Sequence, residues 1–200
     1  MARGLMDQIQ DELIEMRRKG ISTEKIAEAL NLSTDTVIWL ITHMDTEDAE
    51  VKPTADLLVD WSTIGEKPQR IILLGQMLSN LVCEKVPPDS VDAVYGLTYD
   101  GVPIAQEVAR ILGKPCVIVK TQQEELEFFS PFFEPEGKQV ILVDHVINTG
   151  RTLTRVIQKL GETRTVPLGI FVFVDKRPWM KEKSDVAGTD THSLVRAIKA

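Results

Sequence analysis

VILVDHVINTGRTL, residues 140–153, is an apolar run that meets an acid and then turns into helix-forming sequence. Val140 to Val143 read as a buried strand, because an unbroken apolar, β-branched run fits a sheet covered on both faces. The strand ends in Asp144. The small-residue turn Asn148-Thr149-Gly150-Arg151-Thr152 then opens a helix over 151–160. Backbone N–H groups and a helix N-terminus therefore converge on one point, which is the construction of an anion site. Asp144 is placed to accept hydrogen bonds from ribose hydroxyls, and Thr149 and Thr152 offer hydroxyl donors to a 5-phosphate. The plain alternative is an ordinary strand-to-helix turn that holds no ligand.

Around this stretch, strand-like and helical runs alternate from residue 56 onward. The spacing predicts helix 66–83, strand 93–95, helix 103–112, strand 116–119, strand 140–143, helix 151–160 and strand 170–174. Such alternation indicates an α/β domain with a parallel sheet flanked by helices, over residues 56–200.

The N-terminal residues have a different texture. Leu5, Ile9, Leu13 and Met16, then Ile21, Ile26 and Leu30, then Val37, Leu40 and Ile41 recur at helical spacings, broken at Gly20 and at Asn31-Leu32-Ser33. Three helices with two tight turns are expected in residues 1–45. The acidic run DTEDAEVKPTAD, which holds Pro53, has no apolar period and marks a linker over 46–55. Within ISTEKIAEALNLSTDTVIWLITHM, Ala27 allows close helix approach, Asn31 tolerates a left-handed turn, and Ser22 and Ser33 are N-cap types. This is a helix-turn-helix pattern, whose second helix would read a DNA groove through Ser33, Thr34, Asp35, Thr36, Trp39 and His43, with Thr36 facing outward. The alternative is a helical hairpin used only for dimerisation.

Charge does not favour DNA. The 200-residue chain carries a formal net charge of -7, so any contact with a polyanion must come from a local patch. In residues 1–45 the bases Arg3, Arg17, Arg18, Lys19 and Lys25 are outnumbered by acids, leaving Arg17, Arg18 and Lys19 as the phosphate-side candidates. A 43% hydrophobic content supports one good core plus a small satellite domain. Cys83 and Cys116 lack metal spacing and read as reduced core thiols, fitting a cytoplasmic protein. No run is long and apolar enough to span a bilayer, and no secretion signal is expected.

The 140–153 run resembles the phosphoribosyl pyrophosphate motif of type I phosphoribosyltransferases. DAVYGLTYDGVPIAQEVA, with Gly96 to Gly101, resembles that family's pyrophosphate loop, and IVK ending at Lys120 resembles the start of its catalytic loop. A closer resemblance is to the archaeal GfcR family, also called orotate phosphoribosyltransferase-like proteins. It is carried by Ser33, Thr36, Trp39-Leu40, Asp60-Trp61-Ser62 and Ile64-Gly65 in the order helix-turn-helix, LLVDWSTIGEKPQR, pyrophosphate-type loop, phosphate loop. The resemblance implies a type I phosphoribosyltransferase-like fold and a DNA-binding regulator of sugar catabolism, and a homodimer is expected because a single reading helix covers only one half-site. It also implies a small phosphorylated ligand, with magnesium where that ligand is phosphoribosyl. The ligand residues it implies are Thr98, Tyr99, Asp100, Gly101, Lys120, Asp144, His145, Asn148, Thr149, Gly150, Arg151 and Thr152.

Two departures bear on activity. Phosphoribosyltransferases usually carry two adjacent acids at the strand end, and here Asp144 is followed by His145. The orotate enzymes have a lysine- and histidine-rich loop over the departing pyrophosphate, whereas residues 121–136 read TQQEELEFFSPFFEPE. The expectation is accordingly a binding role for His145, no catalytic residue and no resident metal. The rival is an orotate or related phosphoribosyltransferase using phosphoribosyl pyrophosphate and magnesium. Phe128, Phe129, Phe132 and Phe133 are expected to pack against the domain or a dimer mate in preference to forming a lid. Asp175-Lys176-Arg177 reads as a solvated strand end, with a ligand contact as the sharper alternative.

Overall fold

A computed structural model describes residues 5–43, 59–122, 125–130, 133–134, 136–177 and 185–197. The chain divides into two compact units, with the boundary between Trp61 and Ser62. The expected linker, 46–55, lies outside the described residues.

The first unit contains α1 (Leu5–Arg18), α2 (Thr23–Ala29) and α3 (Thr34–His43). Ile9 and Leu13 of α1, Ile26 and Ala27 of α2, Leu32, and Val37 and Leu40 of α3 form one core. The turn between α2 and α3 uses Asn31 at φ +53°, the left-handed conformation its short polar side chain tolerates. Ser22 caps α2, its hydroxyl accepting the Lys25 N–H at 3.4 Å. Ser33 opens α3 in the same way, accepting the Thr36 N–H at 3.1 Å and lying 2.8 Å from the Thr36 hydroxyl.

Thr36 corrects an expectation. It is 7% exposed, not outward-facing, because one helical turn separates it from the core residue Leu40 and its hydroxyl is spent on Ser33. Ser33→Ala should cost about 1 kcal/mol of local stability. Hydrogen exchange of the full chain, read by mass spectrometry, should then show α3 amides opening about five-fold faster. Ser33→Asp should restore protection; unchanged exchange in Ser33→Ala would remove the cap from the account.

The second unit is built on a seven-stranded sheet in the order β3-β2-β1-β4-β5-β7-β6. Its strands are β1 (Ala93–Leu97), β2 (Cys116–Gln122), β3 (Glu125–Phe129), β4 (Gln139–Ile147), β5 (Val166–Asp175), β6 (Asp185–Val186) and β7 (Thr189–Arg196). Helices α4 (Ser62–Gly65), α5 (Pro68–Lys85), α6 (Thr98–Leu112) and α7 (Arg151–Glu162) complete it. β2, β1, β4, β5 and β7 run parallel, while β3 and β6 pair antiparallel with β2 and β7. The sheet is therefore mixed, not purely parallel as expected.

The core follows from the alternation of β1. Ala93, Tyr95 and Leu97 join Leu142, Ile170 and Val172 and the Leu153, Val156 and Leu160 stripe of α7, which recurs at helical spacing. Gly96, with the opposite parity, meets Val102 and Ala105 of α6. Residues 121–136, expected as a loop, contain β3. Its register sets Phe128 opposite Val119 and Leu126 opposite Thr121, and Leu126, Phe128 and Phe133 pack on the core. Phe128 also meets the Tyr95 ring edge-on at 5.6 Å. Packing against the domain is thus observed for Phe128 and Phe133, Phe129 is half exposed, and Phe132 lies outside the described residues.

Cys116 is half-buried, its thiol pushed up to about 11 by burial. Cys83 is exposed, against the expectation of a core thiol, because it lies off the Leu74, Leu78 and Val82 stripe that α5 buries. No helix among the described residues is long and apolar enough to cross a membrane.

Candidate functional site

β1 and β4 are neighbours in the sheet, yet the chain leaves β1 toward β2 on one side and leaves β4 toward β5 on the other. Such a reversal is the switch point at whose strand carboxyl ends α/β sheets form a ligand crevice. α6 starts at the end of β1, and the phosphate-type turn leading to α7 follows β4.

On the β1 side, helix α6 begins at Thr98, five residues before the expected start at Pro103. The extra turn is held by Thr98, whose hydroxyl accepts the Gly101 N–H at 3.3 Å and donates to Asp144 Oδ1 at 3.0 Å. Thr98 sits at φ +60°, a strained position for a β-branched residue and a mark of functional loops. Gly101 presses directly on the acid: a Cβ there would lie 2.6 Å from Asp144 Oδ1.

β4 continues to Ile147, so Asp144 lies within the strand and not at its end. It is 5% exposed and His145 is 3% exposed. Asp144 Oδ1 accepts three donors: the Thr98 hydroxyl, the His145 backbone N–H at 2.8 Å and His145 Nδ1 at 3.0 Å. The other ring nitrogen, Nε2, lies 3.7 Å from Asp100 Oδ2. The expected residues Thr98, Asp100, Gly101, Asp144 and His145 are thus brought together. Tyr99 lies beside them on the first turn of α6 and is exposed.

Burial pushes the His145 imidazole down, but the hydrogen bond and charge of Asp144, with Asp100 beyond, outweigh it and hold the pKa above the ordinary 6.5. A folded-state value above the unfolded one means that the protonated ring stabilises the fold fully below the ordinary value. That contribution is lost as pH rises through the folded value. The melting-temperature gap between wild type and His145→Gln should therefore be largest at and below about pH 6.5 and shrink as pH rises above it. A gap that does not change with pH would show that the ring carries no charge here.

On the β4 side, Gly150 is the N-cap of α7 at φ +81°, a left-handed conformation natural to glycine. Thr149 Oγ1 accepts the Arg151 N–H at 3.3 Å, and Asn148 and Thr152 are half-buried on either side. A second cluster, read from sequence as a solvated strand end, adjoins this turn. Asp175 is 2% exposed and receives Arg177 Nε and Nη2 at 3.0 and 2.8 Å. The same guanidinium donates through Nη1 to the Asp185 carbonyl at 3.2 Å. The Arg177 stem comes within 3.9 Å of a Cβ placed at Gly150. Sequence reasoning missed this bidentate pair; its only trace was an acid and an arginine two residues apart after an apolar strand.

Lys120 is held elsewhere, 4.0 Å from Glu127 and 5.2 Å above the Phe129 ring across the β2–β3 hairpin. In the three-helix unit, Ser33, Thr34 and Trp39 are half-buried and Ile38 is exposed. The side chains of Asp35 and His43 lie outside the described set. Arg17 and Arg18 are exposed in the last turn of α1, and Lys19 pairs with Glu15 at 2.6 Å.

Comparison with known proteins accords with this geometry. The phosphoribosyl transferase domain profile matches residues 60–192. A transcriptional regulator GfcR from Methanosarcina mazei is 31% identical over 98% of this chain and 98% of its own. One from Methanococcoides burtonii is 33% identical, covering 93% and 94%. Among solved structures, the adenine phosphoribosyltransferase of Rhodothermus marinus superposes with a TM-score of 0.56 at 17% identity, covering 74% of this chain and 90% of that one. The orotate phosphoribosyltransferase of Mycobacterium tuberculosis gives 0.52 at 19%, covering 71% and 80%. At those identities the likeness is one of fold.

Proposed function

The chain belongs to the phosphoribosyl transferase domain family and, along nearly its whole length, to the GfcR transcriptional regulators, and from that membership we propose that it is a DNA-binding regulator whose crevice senses a small phosphorylated ligand. One observation carries the reading. The domain profile begins at residue 60, yet the regulators align over 98% of the chain, so the likeness to regulators includes the three-helix unit.

In this reading residues 1–45 are a helix-turn-helix domain with α3 as the groove-reading element. Thr34, Trp39 and the exposed Ile38 are its reading surface, and Arg17 and Arg18 meet phosphates. Thr36 supports α3 from within. Residues 56–200 are the effector domain, joined by the 46–55 linker. One reading helix covers one half-site, so the working form is a homodimer on a two-fold operator. Ligand in the crevice changes DNA affinity by favouring one arrangement of the dimer. Control of sugar catabolism genes suits such a ligand.

A mobility-shift titration with DNA from upstream of its own gene tests the proposal. The full chain should bind with an affinity that falls at least about ten-fold between 50 and 200 mM salt. Residues 46–200 alone should not bind. Equal binding by the truncated chain would defeat the assignment of DNA contact to the three-helix unit.

A further inference from the structure

Phosphoribosyl ligands of this fold family imply magnesium, and the residues present do not fit it. Magnesium needs oxygen ligands in near-octahedral array. Here Asp144 Oδ1 already accepts three donors, which leaves only Oδ2 to meet a ligand. The second acid is replaced by His145, whose Nδ1 donates to Asp144 and whose Nε2 faces Asp100. Nδ1 is committed to Asp144 and Nε2 lies 3.7 Å from the Asp100 carboxylate, so an imidazole stands where magnesium would need the oxygen ligands of a second acid. Among the described residues, no group of three or more His, Cys, Asp and Glu side chains could hold a metal ion.

The same side of the crevice is also ill suited to a second phosphate. Residues 96–101 carry Asp100 and no lysine or arginine, and Lys120 is engaged with Glu127 and Phe129. A diphosphate laid there would meet the Asp100 carboxylate with no lysine or arginine in 96–101 to offset it. The backbone N–H groups of the 148–152 turn, which opens α7, suit an anion, and Asp144 Oδ2 and Asp100 can accept hydroxyl hydrogens.

We infer that the crevice binds a hydroxylated phosphomonoester without any divalent metal, with the His145 imidazole seated between Asp144 and Asp100 where a metal-assisted ligand would need a second acid. This deepens the ligand-sensing reading above and rests on it.

Calorimetry on the full chain tests the inference, using ribose 5-phosphate, glucose 6-phosphate, inorganic phosphate and phosphoribosyl pyrophosphate, each in EDTA and in excess magnesium. At least one phosphomonoester should bind with a Kd unchanged within two-fold between the buffers. Phosphoribosyl pyrophosphate should bind no more tightly than that compound. A parallel titration with Mn²⁺ alone, followed by electron paramagnetic resonance, should show no bound metal in the wild type and at least ten-fold tighter Mn²⁺ binding in His145→Asp.

Binding that requires magnesium by ten-fold or more would overturn the inference alone. So would tighter binding of the diphosphate, or a wild type that holds Mn²⁺ as well as His145→Asp. Failure of every phosphorylated probe in both buffers would overturn the ligand-site reading and the inference with it. The wild-type comparison needs no variant, so it stands even if His145→Asp folds poorly.

Discussion

Incubated with orotate, phosphoribosyl pyrophosphate and magnesium, the purified protein is expected to form no orotidine monophosphate above the uncatalysed background. Transfer of a ribosyl group requires stabilisation of charge on the departing pyrophosphate, and that stabilisation must grow in the transition state. The chain offers little of it. The hairpin that follows β2 presents Glu127 and aromatic side chains, and its nearest cation, Lys120, is paired across the strands. On the ribose side, His145 replaces an acid and draws on the Asp144 oxygen that a sugar hydroxyl would otherwise engage. Since enzymes supply rate enhancements of at least about 10⁶, the shortfall should be total on a chromatographic assay. His145→Asp should not rescue it, because Lys120 stays paired with Glu127 and residues 121–136 hold no lysine or arginine. Robust turnover by the wild type would establish a phosphoribosyltransferase and displace the regulator reading of the crevice.

Gly101→Val should be the most damaging single change in the second unit. Its Cβ would lie 2.6 Å from Asp144 Oδ1 and 3.0 Å from Asp144 Cα, so relief demands movement of the β4 backbone and not of a flexible side chain. Overpacking of this kind costs about 3 kcal/mol, lowering Tm by roughly 6–12 °C for a domain of this size. Displacing Asp144 should also break its bond to Thr98, so ligand binding falls even in the fraction that stays folded. Gly161→Ala is the matched control. It lies in α7 with nothing within 4 Å of its Cβ, and alanine there should raise helix stability by up to about 1 kcal/mol. A Gly101→Val protein melting within about two degrees of wild type would show that α6 and β4 are not in contact.

The parts legible from the sequence were those where one signal acted alone. The run from Val140 combines an apolar strand with a small-residue turn, and α7 starts at Arg151 where that pattern puts it, although β4 runs past the expected end at Asp144 to Ile147. The alternation in β3 was hidden because Glu125 and Glu127 share a five-residue strand with Leu126 and Phe128, and acids in so short a run read as loop. β7 was missed because Thr189, Thr191 and His192 are polar, although Thr189 and Thr191 are buried. Thr36 misled for a different reason. Helical spacing alone places it near the edge of the buried stripe, and only the Ser33 hydroxyl decides which way it turns. The Asp175 and Arg177 pair depended on β6 supplying the Asp185 carbonyl, a tertiary relation that no local pattern announces.

The order of the strands bears on how such a protein changes over generations. The hairpin of β2 and β3 hangs from one border of the sheet, with β1 between it and β4. Thr98 and Gly101 lie on α6, Asp144 on β4 and Gly150 at the start of α7, none of them on that hairpin. A change in the hairpin can therefore leave the Thr98–Asp144 hydrogen bond and the Gly150 turn in place, so one crevice build suits either a receptor or an enzyme.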